Sequence, residues 1–192
     1  MKKFSINKLA YDALLLSILV VCAWISIPLG SSPITMQVFG VILIILLAPG
    51  IDSIIIILLY TLMGSLGLPV FNGGTSGIVS PTYGFIIGFL VASIVIYGYT
   101  LIFNRKRSER IFDIIIKCVI FEIVIYICGI SYFTIVAGSK TFIGWLVYFL
   151  PYMGIDIIKC VLAILVYTKL VPILKKLSEQ NKSSDDQNKI DN

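Results

Sequence analysis

Histidine is absent from this chain, and charge is scarce: only 13% of its 192 residues are Asp, Glu, Lys or Arg. Without histidine there is neither the commonest proton relay nor the commonest metal ligand, which weighs against most metalloenzyme chemistry. So little charge against 58% hydrophobic residues, with a mean hydropathy of +1.02, puts the chain outside the range of soluble domains. Cysteine is sparse as well. Cys22, Cys118, Cys128 and Cys160 all fall inside apolar stretches, where a thiol behaves as a small buried hydrophobe, so neither a disulfide nor a metal site is expected. A phosphate-binding loop is also lacking. Asn72-Gly73-Gly74-Thr75-Ser76-Gly77 has no lysine after its glycines, so ATP hydrolysis by this chain is not expected. No nucleophile–base pair or carboxylate pair occurs at workable depth, and the chain is not read as an enzyme.

What the sequence does contain is a series of apolar windows, each about 15 to 27 residues long, the length and character of membrane spans. They recur along almost the whole chain, so they read as one membrane domain over residues 1–177 and not as a signal peptide before a soluble domain. The expected fold is all-α and integral to the membrane, with six transmembrane helices. They cover about Leu9 to Ile27, Ile34 to Ala48, a segment capped by Asp52 or Ser53 and ending near Leu66, then Tyr83 to Phe103, Ile111 to Ala137 and Trp145 to Leu170. Pro151 is expected to kink the last of these. Residues 178–192 are polar and are predicted to form a disordered tail.

The net charge of +5 would suggest nucleic acid in a soluble protein, but here the charges sort by membrane side, and no nucleic-acid partner is expected. Lys2, Lys3, Lys8, Arg105, Lys106, Arg107, Arg110, Lys175 and Lys176 all fall on the side of the two termini, whereas the opposite loops carry Lys140 alone. By the positive-inside rule both termini are cytoplasmic, in a multi-pass protein of the cell membrane. The irregular Gly/Pro-rich segments, Pro28 to Pro33 and Gly67 to Thr82, then gather on the outer face. The second of these cannot lie exposed to lipid, because its backbone would be unsatisfied there.

Asp156 and Lys159 sit inside the last apolar run, where a charge costs roughly 2.5–3.5 kcal/mol at the helix centre and usually marks a function. Their i, i+3 spacing puts them on one helix face. At about 1.5 Å per residue they lie roughly 20 and 15 Å above Lys169, near the midplane or in the outer half. An outward-facing ligand pocket, floored by this pair and roofed by the Gly-rich segment, is the expectation. Two readings stay open at this point: the pair grips a ligand, or it is structural, with Glu122 competing for Lys159 from a similar depth. Asn72 and Gly73 in the roof, and Gln37 with Thr35 at the outer start of the second helix, are further candidates. So are Tyr83 and Tyr152, although tyrosines at such depths also belong to interfacial belts. Asp113 and Lys117, at i, i+4, read as an interfacial ion pair. Ala13 and Ser17 form a small-xxx-small step that allows close helix contact.

Several segments together resemble the BioY family, the biotin-binding S components of energy-coupling factor (ECF) transporters. They are Pro33-Ile-Thr-Met-Gln-Val-Phe39, Gly64-Ser-Leu-Gly-Leu-Pro-Val-Phe71 with Gly73-Gly74, Pro81-Thr-Tyr-Gly-Phe-Ile-Ile-Gly-Phe89, and Pro151 with Asp156-Ile-Ile-Lys159. The resemblance implies a six-helix subunit that captures biotin from outside and depends on a separate energising module, a transmembrane T component with two ATPase subunits. It also places the family's acidic and basic pair on Asp156 and Lys159. Biotin would be the transported ligand and no cofactor is implied. Asp156 can accept from a ureido N–H, Asn72 can bond the same ring, and Lys159 can meet the ureido oxygen or the carboxylate. The alternatives are an S component for another vitamin, or a stand-alone ion-coupled carrier using Glu122 and Asp156.

Overall fold

In the structure, a computed structural model, residues 6–28, 33–78, 80–103, 111–137 and 141–190 are described. Lys2, Lys3, Arg105, Lys106, Arg107, Arg110 and Lys140, which carry much of the charge-sidedness argument, lie outside the described residues. Among the described residues, six α-helices stand in the expected order: α1 (Ile6–Trp24), α2 (Gln37–Leu47), α3 (Ile51–Ser65), α4 (Tyr83–Phe103), α5 (Ile111–Ala137) and α6 (Phe142–Ile190). α4 and α5 have the limits that the sequence predicts. α1, α4 and the Phe142–Leu174 part of α6 are long and apolar enough to cross a membrane.

The link between α1 and α2 departs from the expectation of two helices meeting at a turn. α1 ends at Trp24, and Ser26–Ile27 (β1) pairs antiparallel with Ile34–Thr35 (β2), Ser26 opposite Thr35 and Ile27 opposite Ile34. The cause is local. Pro28 pushes the residue before it toward extended backbone, so the chain folds back as a two-residue ribbon and α2 starts three residues later than predicted.

α2 carries no charge, and every residue from Gly40 to Leu46 is buried, as a helix that is apolar all round must be. It packs against α1, α3, α5 and α6. At about 1.5 Å per residue its 11 residues reach only about 16 Å, half of a hydrocarbon core of about 30 Å. Space is thereby left above its N-terminal residue, Gln37.

Neither Asp52 nor Ser53 caps α3. Gly50, with a φ of +96°, occupies the cap position, and Ser53 Oγ donates back to the Gly50 carbonyl at 2.8 Å. Asp52 instead pairs with Lys8 of α1 at 2.6 Å. Asp113 and Lys117 do pair, at 2.7 Å, but Asp113 is buried and also accepts from the Tyr99 hydroxyl at 3.2 Å. The backbone of α6 stays helical through Ile190, where the sequence predicts disorder from Ser178 on. Residues 178–190 contain no glycine or proline to stop the helix.

Large apolar side chains lie on the surface, while a few polar and charged ones are buried. Val21, Ile123, Ile127, Ile157 and Ile158 are exposed, whereas Gln37, Asp113, Asp156 and Lys159 are buried. That inversion suits a lipid environment, in which helices associate through close packing because lipid tails are as apolar as leucine. α4 and α5 form the most extensive helix pair. A Cβ at Gly88 would lie 3.0 Å from Ile125 Cα, and one at Gly129 would fall on the Phe85 ring. Gly129→Val is therefore expected to overpack this interface and destabilise the protein by about 1–3 kcal/mol, read as a lowered thermal unfolding midpoint in detergent; an unchanged midpoint contradicts the packing account.

Candidate functional site

α6 turns one narrow polar face inward. Asp156 and Lys159 are buried while Ile157 and Ile158 between them are exposed, which is what i, i+3 spacing dictates on a helix with one face to lipid. Lys159 Nζ donates to Asp156 Oδ1 at 2.5 Å, and the Tyr126 hydroxyl of α5 donates to Oδ2 at 2.7 Å. Both carboxylate oxygens thus have donors, and the two charges cancel. Glu122, the rival for Lys159, accepts from the Cys160 thiol at 3.0 Å through Oε1. Its Oε2 is buried without a hydrogen-bond partner among the described residues. Removing one member of a buried ion pair costs about 3–5 kcal/mol, so Asp156, Lys159 and Tyr126 form a unit with fixed geometry.

Above this floor opens a pocket with about 770 Å³ of empty space, its mouth included. Seven aromatic residues contribute to the wall: Phe71, Tyr83, Phe85, Phe89, Tyr126, Phe149 and Tyr152. Phe85 meets Tyr126 edge-on at 5.6 Å and Phe149 at 5.2 Å, and Phe149 meets Tyr152 at 5.5 Å between centroids. These tilted contacts hold the rings as one surface. Two glycines seat them. The Phe85 ring occupies the place of a side chain at Gly129, and the Phe71 ring that of one at Gly64.

The segment between α3 and α4 covers the pocket. Asn72–Gly74 makes a single 3₁₀ turn, bridged by the antiparallel pairing of Phe71 with Thr75. Side-chain bonds from around it fasten it: Trp24 Nε1 donates to the Pro69 carbonyl at 2.9 Å, Tyr60 Oη to the Val70 carbonyl at 3.0 Å, Ser26 Oγ to Asn72 Oδ1 at 3.0 Å and Tyr132 Oη to the Ile78 carbonyl at 2.9 Å. Its backbone polar groups are thereby partly satisfied within the protein.

Of the residues singled out from the sequence, Asp156, Lys159, Asn72, Gln37, Tyr83 and Tyr152 line this one pocket, as does Thr35. Gly73 does not. Its φ of +62° makes the turn, and a Cβ there would face Ser26 at 3.6 Å. Tyr83 is held by a 2.7 Å hydrogen bond between its hydroxyl and Ser65 Oγ. Tyr126 was missed, although its position four residues after Glu122, on the same face of α5, was a usable signal. Phe85 and Phe149 carried none, since an aromatic that lines a pocket reads like any other in an apolar helix. Thr75, Ser76, Ser80 and Thr82 of the covering segment also line the pocket.

The arrangement suits a small molecule with three parts. A polar head with both donors and an acceptor matches the carboxylate and ammonium set side by side on the floor, an apolar body matches the aromatic wall, and a polar end matches the hydroxyl-bearing residues of the covering segment. Among the described residues no three His, Cys, Asp or Glu side chains come together as a metal site requires.

Comparison with known proteins agrees with this geometry. The model of the BioY family matches residues 1–176. Biotin transporter BioY2 of Lactococcus lactis subsp. cremoris is 33% identical over 186 residues, covering 94% of this chain and 96% of that protein. Biotin transporter BioY of Thermotoga maritima is 32% identical over 160 residues, 80% of this chain and 89% of that one. Among solved structures, the S-component for biotin from an ECF-type ABC transporter, determined at 2.1 Å, superposes with a TM-score of 0.80. It covers 90% of this chain and 94% of its own at 21% identity, and so shares the fold. With the family matched over nearly the whole length and relatives similar from end to end, the chain belongs to the BioY family.

Proposed function

We propose that this chain is the substrate-binding membrane subunit that captures biotin from outside the cell, for uptake driven by ATP at a separate energising module. The observation that carries the reading is the Asp156–Lys159–Tyr126 unit, a neutral floor that presents an acceptor and a donor side by side beneath an aromatic wall. Biotin's ureido ring carries the matching groups. Its N–H donates to the Asp156 carboxylate, its oxygen accepts from Lys159, and the Asn72 amide bonds the same ring. The thioether ring lies against Phe85 and Phe149. The valerate carboxylate points to the covering segment, where Ser76 and the Ser80–Thr82 pair offer hydroxyls. Relatives described as biotin transporters, matching 94% and 80% of this chain, support the choice of biotin over another vitamin.

The rest of the reading follows from charge and motif. The six helices make up a membrane domain over residues 1–177, which crosses the cell membrane with both termini inside, as the basic residues on the terminus side require. The chain has no nucleotide-binding loop of its own, so its energy comes from partners: a transmembrane T component and two ATPase subunits.

Calorimetry of the detergent-solubilised protein with biotin tests the assignment directly. Asp156→Asn and Lys159→Ala are each expected to weaken biotin binding more than tenfold, about 1.4 kcal/mol or more; variants that bind as tightly as the parent sink the site. Tyr126→Phe keeps the ring but leaves Asp156 Oδ2 without its protein donor. A loss of about 1–2 kcal/mol, roughly five- to thirtyfold in Kd, is expected in the same titration, and a parent-like Kd means that Tyr126 has no part in the floor.

A further inference from the structure

Gln37 lies in the pocket wall, yet its amide is already engaged on two sides. Thr35 Oγ1 donates to its Oε1 at 3.0 Å, and its Nε2 donates to the Tyr60 hydroxyl at 2.6 Å. A primary amide has two N–H donors and a carbonyl with two lone pairs, so one of each remains for a ligand. Tyr60 itself does not line the pocket and is fully buried in α3. Having accepted from Gln37, its hydroxyl donates to the Val70 carbonyl at 3.0 Å. Its ring meets Phe71 edge-on at 5.4 Å, and Phe71 does line the pocket. One hydroxyl therefore joins a pocket amide to the backbone of the covering segment. A group that accepts at one end and donates at the other is polarised in both directions, so strengthening either bond strengthens its neighbour.

We propose that Tyr60 is a positioning residue through which bound biotin holds the pocket closed. Biotin engaged by Gln37 tightens the Gln37–Tyr60–Val70 chain and keeps the covering segment, with Phe71, over the site. The inference rests on the biotin reading above and adds to it how occupancy and closure are linked. The structure also supplies a control. Trp24 Nε1 fastens the adjacent Pro69 carbonyl to α1 at 2.9 Å, and Trp24 is not part of the chain that runs from Gln37.

The test measures biotin dissociation and association rates on the solubilised full chain. It compares the parent with Tyr60→Phe, Gln37→Ala, their double variant, and Trp24→Phe alone and with Gln37→Ala. Tyr60→Phe keeps the ring against Phe71 and removes only the hydroxyl. It is expected to release biotin about tenfold faster, with association changed by less than about twofold. It adds nothing in the Gln37→Ala background, because the chain is already cut there. Trp24→Phe speeds release by the same factor in both backgrounds. Parent-like release from Tyr60→Phe, or equal effects of that change in both backgrounds, overturns the proposal.

Hydrogen exchange at saturating biotin gives a second measurement that needs no Tyr60 variant. The Phe71 and Gly77 amides, bonded to the Thr75 and Gly64 carbonyls, are expected to gain protection from biotin in the parent and not in Gln37→Ala. Equal protection in both overturns the proposal. A parent that does not bind biotin overturns this inference together with the reading beneath it, whereas a binding parent with additive variants overturns the link alone.

Discussion

A carboxylate and an ammonium cannot each stand alone away from water, and much of this molecule is arranged around that constraint. Asp156 and Lys159 are tolerated inside an apolar helix because they lie one turn apart and meet at 2.5 Å, and because Tyr126 from the neighbouring helix supplies the donor that the second carboxylate oxygen needs. Two helices must therefore keep a fixed rotation relative to each other. α5 in turn is held against α4 through glycines, and one of them, Gly129, makes room for the Phe85 ring beside Tyr126. The packing of the bundle and the shape of the site depend on the same contacts.

The same logic governs the roof. Backbone without secondary structure cannot face lipid, so the segment between α3 and α4 is tied down by side chains from α1, β1 and α3. Trp24, Ser26 and Tyr60 each bond a different part of it. Tyr60 also accepts from Gln37 and meets the Phe71 ring of the pocket wall, so its hydroxyl joins a pocket amide to the cover.

Much of the fold was legible because membrane helices announce themselves. The limits of α4 and α5 could be read directly, since a polar or Gly/Pro-rich stretch brackets each apolar run. The start of α2 could not. Ile34 and Thr35 are as apolar or as small as helix residues need be, and only their pairing with Ser26 and Ile27 takes them out of the helix. Asp52 looked like a cap because capping is a local rule, but Lys8, far away in sequence, reaches it first. The tail beyond Ser178 was judged by polarity, yet polarity alone does not end a helix that nothing interrupts.

By itself the sequence determined that the chain is a membrane protein, the order and approximate place of its helices, and that two opposite charges stand on one face of the last helix. Those are properties of hydropathy and of spacing along one helix, which need no partner to be read. Only the tertiary structure decided which group Lys159 meets. Glu122 and Asp156 both carry a carboxyl group and stand at similar depth, and the choice between them rests on helix rotation, which turns Glu122 toward Cys160 and Tyr126 toward Asp156. The tertiary structure likewise brought Phe85 and Phe149, indistinguishable in sequence from lipid-facing aromatics, into one wall with Tyr126. Rotation about a helix axis and the side of a ring that faces a cavity are set by every neighbouring helix at once, and no single stretch of sequence encodes them.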